Sequence, residues 1–492
     1  MELQFPYDIL VPEYLIASTA AVVAGLGLTY RGLRSQHLAY MSVVGLLIAL
    51  AVSLLYINEN RSFANLIRVD NYATLFRVFF ILISVFVCLA SARYAQRYLI
   101  NHPEYYGIIV LSTIGMIYMA AAEELLTAYI ALELLSFSLY VLTSYAKLDP
   151  KSNEGGLKYM LLGAFSSAVF LYGLSIIYGI TGTTSYAGIA EALSGDVGDR
   201  QTALLIGLVM IVAGLGFKVS AVPFHMWTPD AYEGAPLPVT AFISAASKAA
   251  GFALFIRLFA GPFLPILDDW RWMLAGLAAA TMVTGNLVAL QQHNLKRLLA
   301  YSSIGQVGYM VMGIAAFSPD STAAASAIVL HLIGYVISNL VLFLGIIYFY
   351  DQTGKDEIED LRGLAETNPF LAASMTAALF SLAGLPLFAG FATKFILFQA
   401  AAEQNLLWLA GTAVLMSFVS LYYYLMVIKQ MYIVAPERPG RLAVPGLDTA
   451  VLALLTLGVF VVGLYPFPLF RAIERSTDLI LILGQAATVA SP

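Results

Sequence analysis

The feature that most constrains this chain is the recurrence, from near residue 12 to near residue 470, of almost charge-free apolar stretches joined by short polar segments. A helix of about 20 apolar residues crosses the hydrocarbon of a bilayer, and backbone at that depth must satisfy its own hydrogen bonds, so each stretch reads as a spanning helix. Composition agrees. Of 492 residues, 60% are hydrophobic and 11% charged, against the roughly 45–50% and 25% of soluble domains. Apolar runs place helices near 12–30, 38–57, 72–91, 106–122, 125–145, 158–181, 202–227, 238–260, 271–290, 297–318, 322–350, 370–400, 405–432 and 449–470, with an apolar tail at 476–486 too short to span. The expected fold is therefore an all-α polytopic membrane protein of about 14 transmembrane helices, with no room for a separate soluble domain.

The formal charge of -5 contains no basic block, which argues against nucleic acid as a partner. The single cysteine, Cys88, lies in an apolar run and reads as a small buried hydrophobe, so the chain alone builds no disulfide or iron–sulfur cluster. Neither a GxGxxG nor a GxxxxGK[ST] motif occurs, so redox and nucleotide chemistry are expected elsewhere. The N-terminal MELQFPYDILVPEY lacks the basic start of a cleaved signal peptide, and the first helix is expected to stay.

With the N-terminus outside, the inner joints collect most of the Lys and Arg, among them Arg31, Lys147, Lys151, Lys296, Arg297, Arg438 and Arg441. The outer ones hold Arg61, Arg68, Arg200, Arg271, Arg471 and Arg475. This bias favours both termini on the outer side of a bacterial plasma membrane. Arg77, Lys158, Lys218, Lys248, Arg257 and Lys394 fall inside helices. Arg77 and Arg257, near helix ends, are expected to snorkel, and Glu123 and Glu124 to sit in a solvated joint.

Two helices are expected to be interrupted, and they look alike. AGLGFKVSAVPFH (Ala213–His225) and AGLPLFAGFATKF (Ala383–Phe395) each carry an Ala-Gly-Leu entry, further glycines, a proline and a lysine. Broken helices at corresponding places in two halves point to inverted repeats, because unwound backbone at membrane depth survives only where it lines a cavity. The expected organisation is 1–104, then repeats over 105–260 and 261–432, then 433–492.

A charge at the bilayer centre costs at least about 2.5–3.5 kcal/mol on insertion scales and is by default functional. Glu133, Lys218, Lys248 and Lys394 are the deep ones; Lys158 opens its helix, and His331 and His225 add titratable rings that either relay protons or fill structural roles. Burial disfavours an ammonium and a nearby carboxylate restores it; at an effective dielectric near 20 a unit charge at about 4 Å contributes about 4 kcal/mol. Moving Glu133 relative to Lys218 would therefore load or empty the lysine. A sodium path would need a cage of oxygen ligands, which lysine opposes, so protons are the expected cargo. Polar residues that could join these sites are Ser220, Thr240, Ser244, Ser247, Tyr301, Ser302, Ser303, Gln306 and Tyr309.

Four segments carry a family resemblance: Phe217–Phe252, the Glu133 helix, His293–Met310 and Gly384–Phe395. Together they resemble the antiporter-like membrane subunits of NADH-quinone oxidoreductase (respiratory complex I) over roughly residues 105–432. The Pro229–Pro236 run, Lys rather than Glu at 394, and the lack of a long C-terminal lateral helix resemble the N type. The resemblance implies that Glu133 and Lys218 form a modulating pair, that Lys248 is the central relay, that Lys394 faces the second half-channel, that His331 links the two, and that Lys158 is functional. It also implies proton translocation coupled to quinone reduction in partner subunits. NADH or another donor, FMN, Fe–S clusters and quinone would then belong to those partners, with no cofactor in this chain. Its neighbours would be other antiporter-like and small membrane subunits in the lipid bilayer. A Mrp-type cation/proton antiporter subunit and a hydrogenase- or ferredoxin-linked membrane subunit share the resemblance.

Overall fold

The computed structural model describes residues 7–30, 32–195, 198–436 and 440–489, with backbone alone for residues 28 and 479–489. Arg31 and Arg438, two of the inner-side cations, lie outside the described residues. The chain is helical nearly throughout: α1 (Val11–Thr29), α2 (Ser35–Ser53), a two-stranded hairpin β1 (Arg61–Phe63) and β2 (Ile67–Val69), α3 (Asn71–Tyr98), α4 (His102–Ala121), α5 (Leu125–Thr143), α6 (Pro150–Thr181), α7 (Tyr186–Ser194), α8 (Gln201–Val219), α9 (Trp227–Gly234), α10 (Leu237–Phe242), α11 (Lys248–Phe259), α12 (Leu267–Ala289), α13 (Leu295–Ala315), α14 (Ala323–Thr353), α15 (Leu364–Thr367), α16 (Pro369–Ala383), α17 (Ala389–Glu403), α18 (Leu407–Tyr432), α19 (Gly446–Leu464) and α20 (Phe467–Val489).

Among the described residues, 13 helical segments are long and apolar enough to cross a membrane. The difference from the expected count has one cause. The stretch expected at 370–400 is two 15-residue helices, α16 and α17, neither long enough to span alone. The tail at 476–486 belongs to the 23-residue α20. That helix packs on α3, α7 and α14, anchored by Thr322 to Asp478 (3.0 Å) and Ser326 to Thr477 (2.7 Å).

The joints between the spanning segments gather at two faces. On the hairpin face, bridges tie Ile67 to Ala122 and Glu124 to Ser185. On the opposite face, Asn294 pairs with Glu357. The continuous run α10, a π-turn at Ile243–Ser247, and α11 is wholly enclosed, with α13 and α14 nearly so, while α2, α6, α18 and α19 leave most of their surface outward. Cys88 is fully buried.

Four charged residues depart from expectation. Arg77 and Arg257 do not snorkel: both are buried and paired, Arg77 with Glu13 at 2.7 Å and Arg257 with Asp70 at 2.6 Å. Asp70 also caps α3 by accepting from the Ala73 amide (2.7 Å), so a cap and an ion pair share one carboxylate. Nor are Glu123 and Glu124 a solvated joint. Glu124 is buried and caps α5 through the amides of Leu126 and Thr127, while Glu123 pairs with Arg68.

Candidate functional site

The two expected breaks are present and share one backbone motif. α8 stops at Ser220 (φ 72°), where Ala221 N–H donates to Gly216 O (2.7 Å) and Ser220 N–H to Phe217 O (3.1 Å). α16 stops at Gly384 (φ 90°), where Leu385 N–H donates to Phe380 O (3.0 Å) and Gly384 N–H to Ser381 O (3.0 Å). Each is a Schellman ending with its turn residue in the left-handed region. The last carbonyls of such a helix lack intrahelical donors, and they must find others at this depth.

At the first break, Lys218 sits at the end of α8, buried, and donates to Ser136 Oγ of α5 (2.9 Å). Ser136 donates onward to Leu132 O (2.7 Å). Glu133, on the same helix, is half-buried and accepts from Ser167 Oγ of α6, which lies 3.3 Å from Tyr129 Oη. Among the described residues no direct ion pair joins Glu133 to Lys218; each meets a serine instead.

Lys248 follows the π-turn, a local widening frequent at functional sites. Fully enclosed, it donates to Ser303 Oγ of α13 (2.6 Å) and Tyr232 Oη of α9 (2.9 Å), and lies 5.1 Å from the Tyr232 ring centre. α9 is thus the wall between Lys248 and the opposite face, and charges clamp it there. Asp230 accepts from Lys158 (2.8 Å) and Arg297 (2.8 Å); Glu233 pairs with Lys151 (3.0 Å) and Arg297 (3.0 Å). Backbones nearly touch: a Cβ on Gly155 would lie 2.8 Å from Asp230 O, and one on Gly234 would lie 2.3 Å from Lys151 O.

Lys158 is accordingly a member of this clamp, with a second acceptor in Glu154 (2.7 Å) and a half-exposed side chain. The clamp also acts on the acids, which lie between the segments long enough to span. Burial raises Asp230 and Glu233, but the hydrogen bonds from Lys158, Lys151 and Arg297 outweigh it and hold both carboxyls below their ordinary range.

At the second break, Lys394 of α17 supplies the missing donor. Its ammonium donates to Leu382 O (2.9 Å) and is 3.4 Å from both Ala383 O and Ser417 Oγ, a cation at a helix C-terminus as the dipole favours. It lies 4.6 Å from the Tyr309 ring centre. Gln306 Nε2 donates to the same Leu382 carbonyl (2.9 Å), so one α13 face carries Ser303 beside Lys248, Gln306 beside Lys394's acceptor, and Tyr309 beneath Lys394. His331 of α14 is buried, with Nδ1 3.0 Å from Thr393 Oγ1; its Nε2 has no partner among the described residues. His225, between α8 and α9, joins neither cluster by a direct bond, and its Nδ1 has no partner either.

Sequence reasoning missed Ser136, Ser167, Tyr232, Asp230 and Thr393 as partners. Ser136 lies one turn from Glu133, and Asp230 and Tyr232 lie inside the quoted Pro229–Pro236 run, so the signal was spacing next to a known charge. Of the polar residues named as connectors, Ser303, Gln306 and Tyr309 touch the lysine sites or their acceptors. Thr240 bonds backbone carbonyls, and Ser220 and Ser247 lack hydroxyl partners among the described residues.

A bilayer-spanning bundle with lysine-bearing broken helices defines a class of membrane transport subunit, and comparison identifies which. The family model described as "NADH:quinone oxidoreductase/Mrp antiporter, TM" matches residues 122–420, and the chain belongs to that family. It is 43% identical over 459 residues to NADH-quinone oxidoreductase subunit N of Moorella thermoacetica, covering 92% of this chain and 94% of that protein. A chain of Thermus thermophilus respiratory complex I superposes with a TM-score of 0.80 at 31% identity, covering 95% and 100%. A chain of a membrane-bound sulfane sulfur reductase, an archaeal respiratory complex, gives 0.86 at 26%, covering 97% and 99%.

Proposed function

We propose that this chain is the N-type, proton-translocating membrane subunit of a complex I-type NADH-quinone oxidoreductase in a bacterial plasma membrane, with both termini on the outer side. Kinship with N subunits supports the assignment. One structural observation carries the mechanism: Lys218, Lys248 and Lys394 are buried against hydroxyls, a ring and carbonyls, with no carboxylate in contact among the described residues. A hydroxyl accepts from an ammonium and donates to a neutral amine, so each lysine keeps a partner in both protonation states.

Glu133, one turn from the serine that holds Lys218, tunes the first lysine; Lys248 stands between the breaks; Lys394 faces the second. His331 extends the second cluster, and Lys158 acts through the α9 clamp. His225 serves the first break. The repeats run over 105–260 and 261–432, flanked by 1–104 and 433–492. The chain holds no redox centre. NADH or another donor, FMN, Fe–S clusters and quinone belong to partner subunits, and neighbouring membrane-arm subunits transmit the driving force. Because the matching family also includes Mrp antiporters, cation/proton exchange is the competing reading, and it predicts sodium-dependent uptake.

The test is single replacement of Lys218 and Lys394 by Ala in the native complex, with assembly verified, followed by quinone reductase activity and proton uptake in sealed vesicles. Assembled complexes that lose uptake support the reading. Normal uptake would leave the lysines structural.

A further inference from the structure

A cleft of about 690 Å³ opens between α3, α14, α19 and α20, away from every lysine site described above. Its walls are aliphatic and aromatic, including Phe86, Ile337, Leu454 and Gly458. Its polar residues collect at one end: Arg475 and Ser476 of α20, Thr74 of α3 and the mutually bonded amides of Asn58 and Asn71, all at the hairpin face. From Asn71 to Phe86 the wall rises about 22 Å at 1.5 Å per residue. That is somewhat more than the ~15 Å hydrocarbon depth of one leaflet.

The arginines on this face make the polar end informative. Arg61 pairs with Asp8, Arg68 with Glu123, and Arg257 with Asp70; Arg200 donates to Ile180 O, and Arg271 to Phe317 O. Among the described arginines of this face only Arg471 and Arg475, one turn apart on α20, have no protein partner, and Arg475 lines the mouth of the cleft. An apolar slot of leaflet length under an exposed, unpaired guanidinium matches an amphiphile with acyl chains and an anionic phosphate.

We propose that this cleft is a binding site for one anionic phospholipid of the hairpin-side leaflet, its phosphate on Arg475 and an acyl chain lying between α3, α14 and α19. The chain abuts Ile333 and Ile337, on the helix that carries His331, so the lipid braces α14. It also fills the space beside the joint between α20 and α14.

The assembled complex, reconstituted in vesicles of phosphatidylglycerol and phosphatidylethanolamine, tests this with a phosphatidylglycerol carrying a diazirine on its acyl chain. Labelling is expected on the α3, α14 and α19 peptides that line the cleft. Gly458→Phe fills the slot, since a Cβ there meets only Ile337, at 3.4 Å and 3.9 Å. Leu454→Trp is a second plug on an exposed wall position. Either plug should cut the labelling at least tenfold with assembly and electron transfer unchanged. Arg475→Gln should reduce the preference for the phosphatidylglycerol probe over its phosphatidylcholine analogue about fivefold, equivalent to about 1 kcal/mol. Labelling that neither plug changes, a cleft that cross-links to a neighbouring subunit, or a headgroup preference untouched by Arg475→Gln would overturn the proposal.

Discussion

Two sets of buried cations divide this molecule. Toward the hairpin face, Arg77 and Arg257 each lie against a carboxylate. Around the breaks, Lys218, Lys248 and Lys394 lie against hydroxyls and carbonyls. A guanidinium does not deprotonate in proteins, so a buried Arg–carboxylate pair is permanent charge and suits a joint between helices: α1 to α3, and α11 to the capped start of α3. An ammonium deprotonates at modest cost once buried, and neutral partners leave it free to do so. On the proposed function the same bilayer holds charges that stay and charges that move, distinguished by residue type and by what faces them.

The largest expected effect breaks the fixed set. Arg257→Leu strips Asp70 of its partner and leaves a carboxylate buried; removing one member of such a pair costs about 3–5 kcal/mol. The variant should lower the yield of assembled complex and its melting temperature, with Asp70→Asn milder because an amide still caps α3. Unchanged melting of Arg257→Leu would mean that this pair is no joint.

Next comes a replacement that keeps charge and removes its mobility. Lys218→Arg and Lys394→Arg preserve a cation in place but not one that releases a proton at working pH. Assembly should survive while proton uptake falls about tenfold or more, equivalent to at least ~1.4 kcal/mol on the translocation barrier. Full uptake in both variants would erase the distinction between the two sets.

The helices were legible because hydrocarbon imposes a length and an apolarity that show residue by residue. Both breaks were legible too, because glycine and proline beside a buried lysine leave few alternatives. Partners were not. Arg77 looked like a snorkelling side chain because Glu13, 64 residues earlier in the chain, carries no mark of its destination; the partner of Lys158 left no mark either, because Asp230 approaches only after the first break folds α9 back on α6. The π-turn before Lys248 left no trace in composition, since its Ile-Ser-Ala-Ala-Ser is ordinary helix sequence.

A smaller effect sharpens the mobile set. Tyr232→Phe keeps the ring near Lys248 and removes one hydroxyl acceptor, while Ser303 still accepts. A hydrogen bond to a charged group contributes about 1.5–3 kcal/mol, and with one acceptor left the lower end applies, so uptake should fall roughly tenfold with assembly intact. Equal loss in Tyr232→Phe and Tyr232→Ala would assign the effect to the hydroxyl; a loss confined to Tyr232→Ala would assign it to the ring.

The smallest expected effect lies in the clamp on α9, whose charges are fixed partners although lysines take part. Its pairs are partly exposed, with side chains of Asp230, Glu233 and Arg297 retaining 22–30% of their surface, so each is expected to contribute no more than about 1 kcal/mol. Because Asp230 and Glu233 are held below their ordinary range, the clamp's stabilisation is complete above that range and fades only as pH falls through the depressed folded values. Thermal melting of the complex with Asp230→Asn should therefore differ from the native complex by a small, constant amount between about pH 6 and pH 8, the gap closing only below about pH 4. A gap that instead changes between pH 6 and pH 8 would make Asp230 a group that titrates in the working range, and would move the clamp from the fixed set to the mobile one.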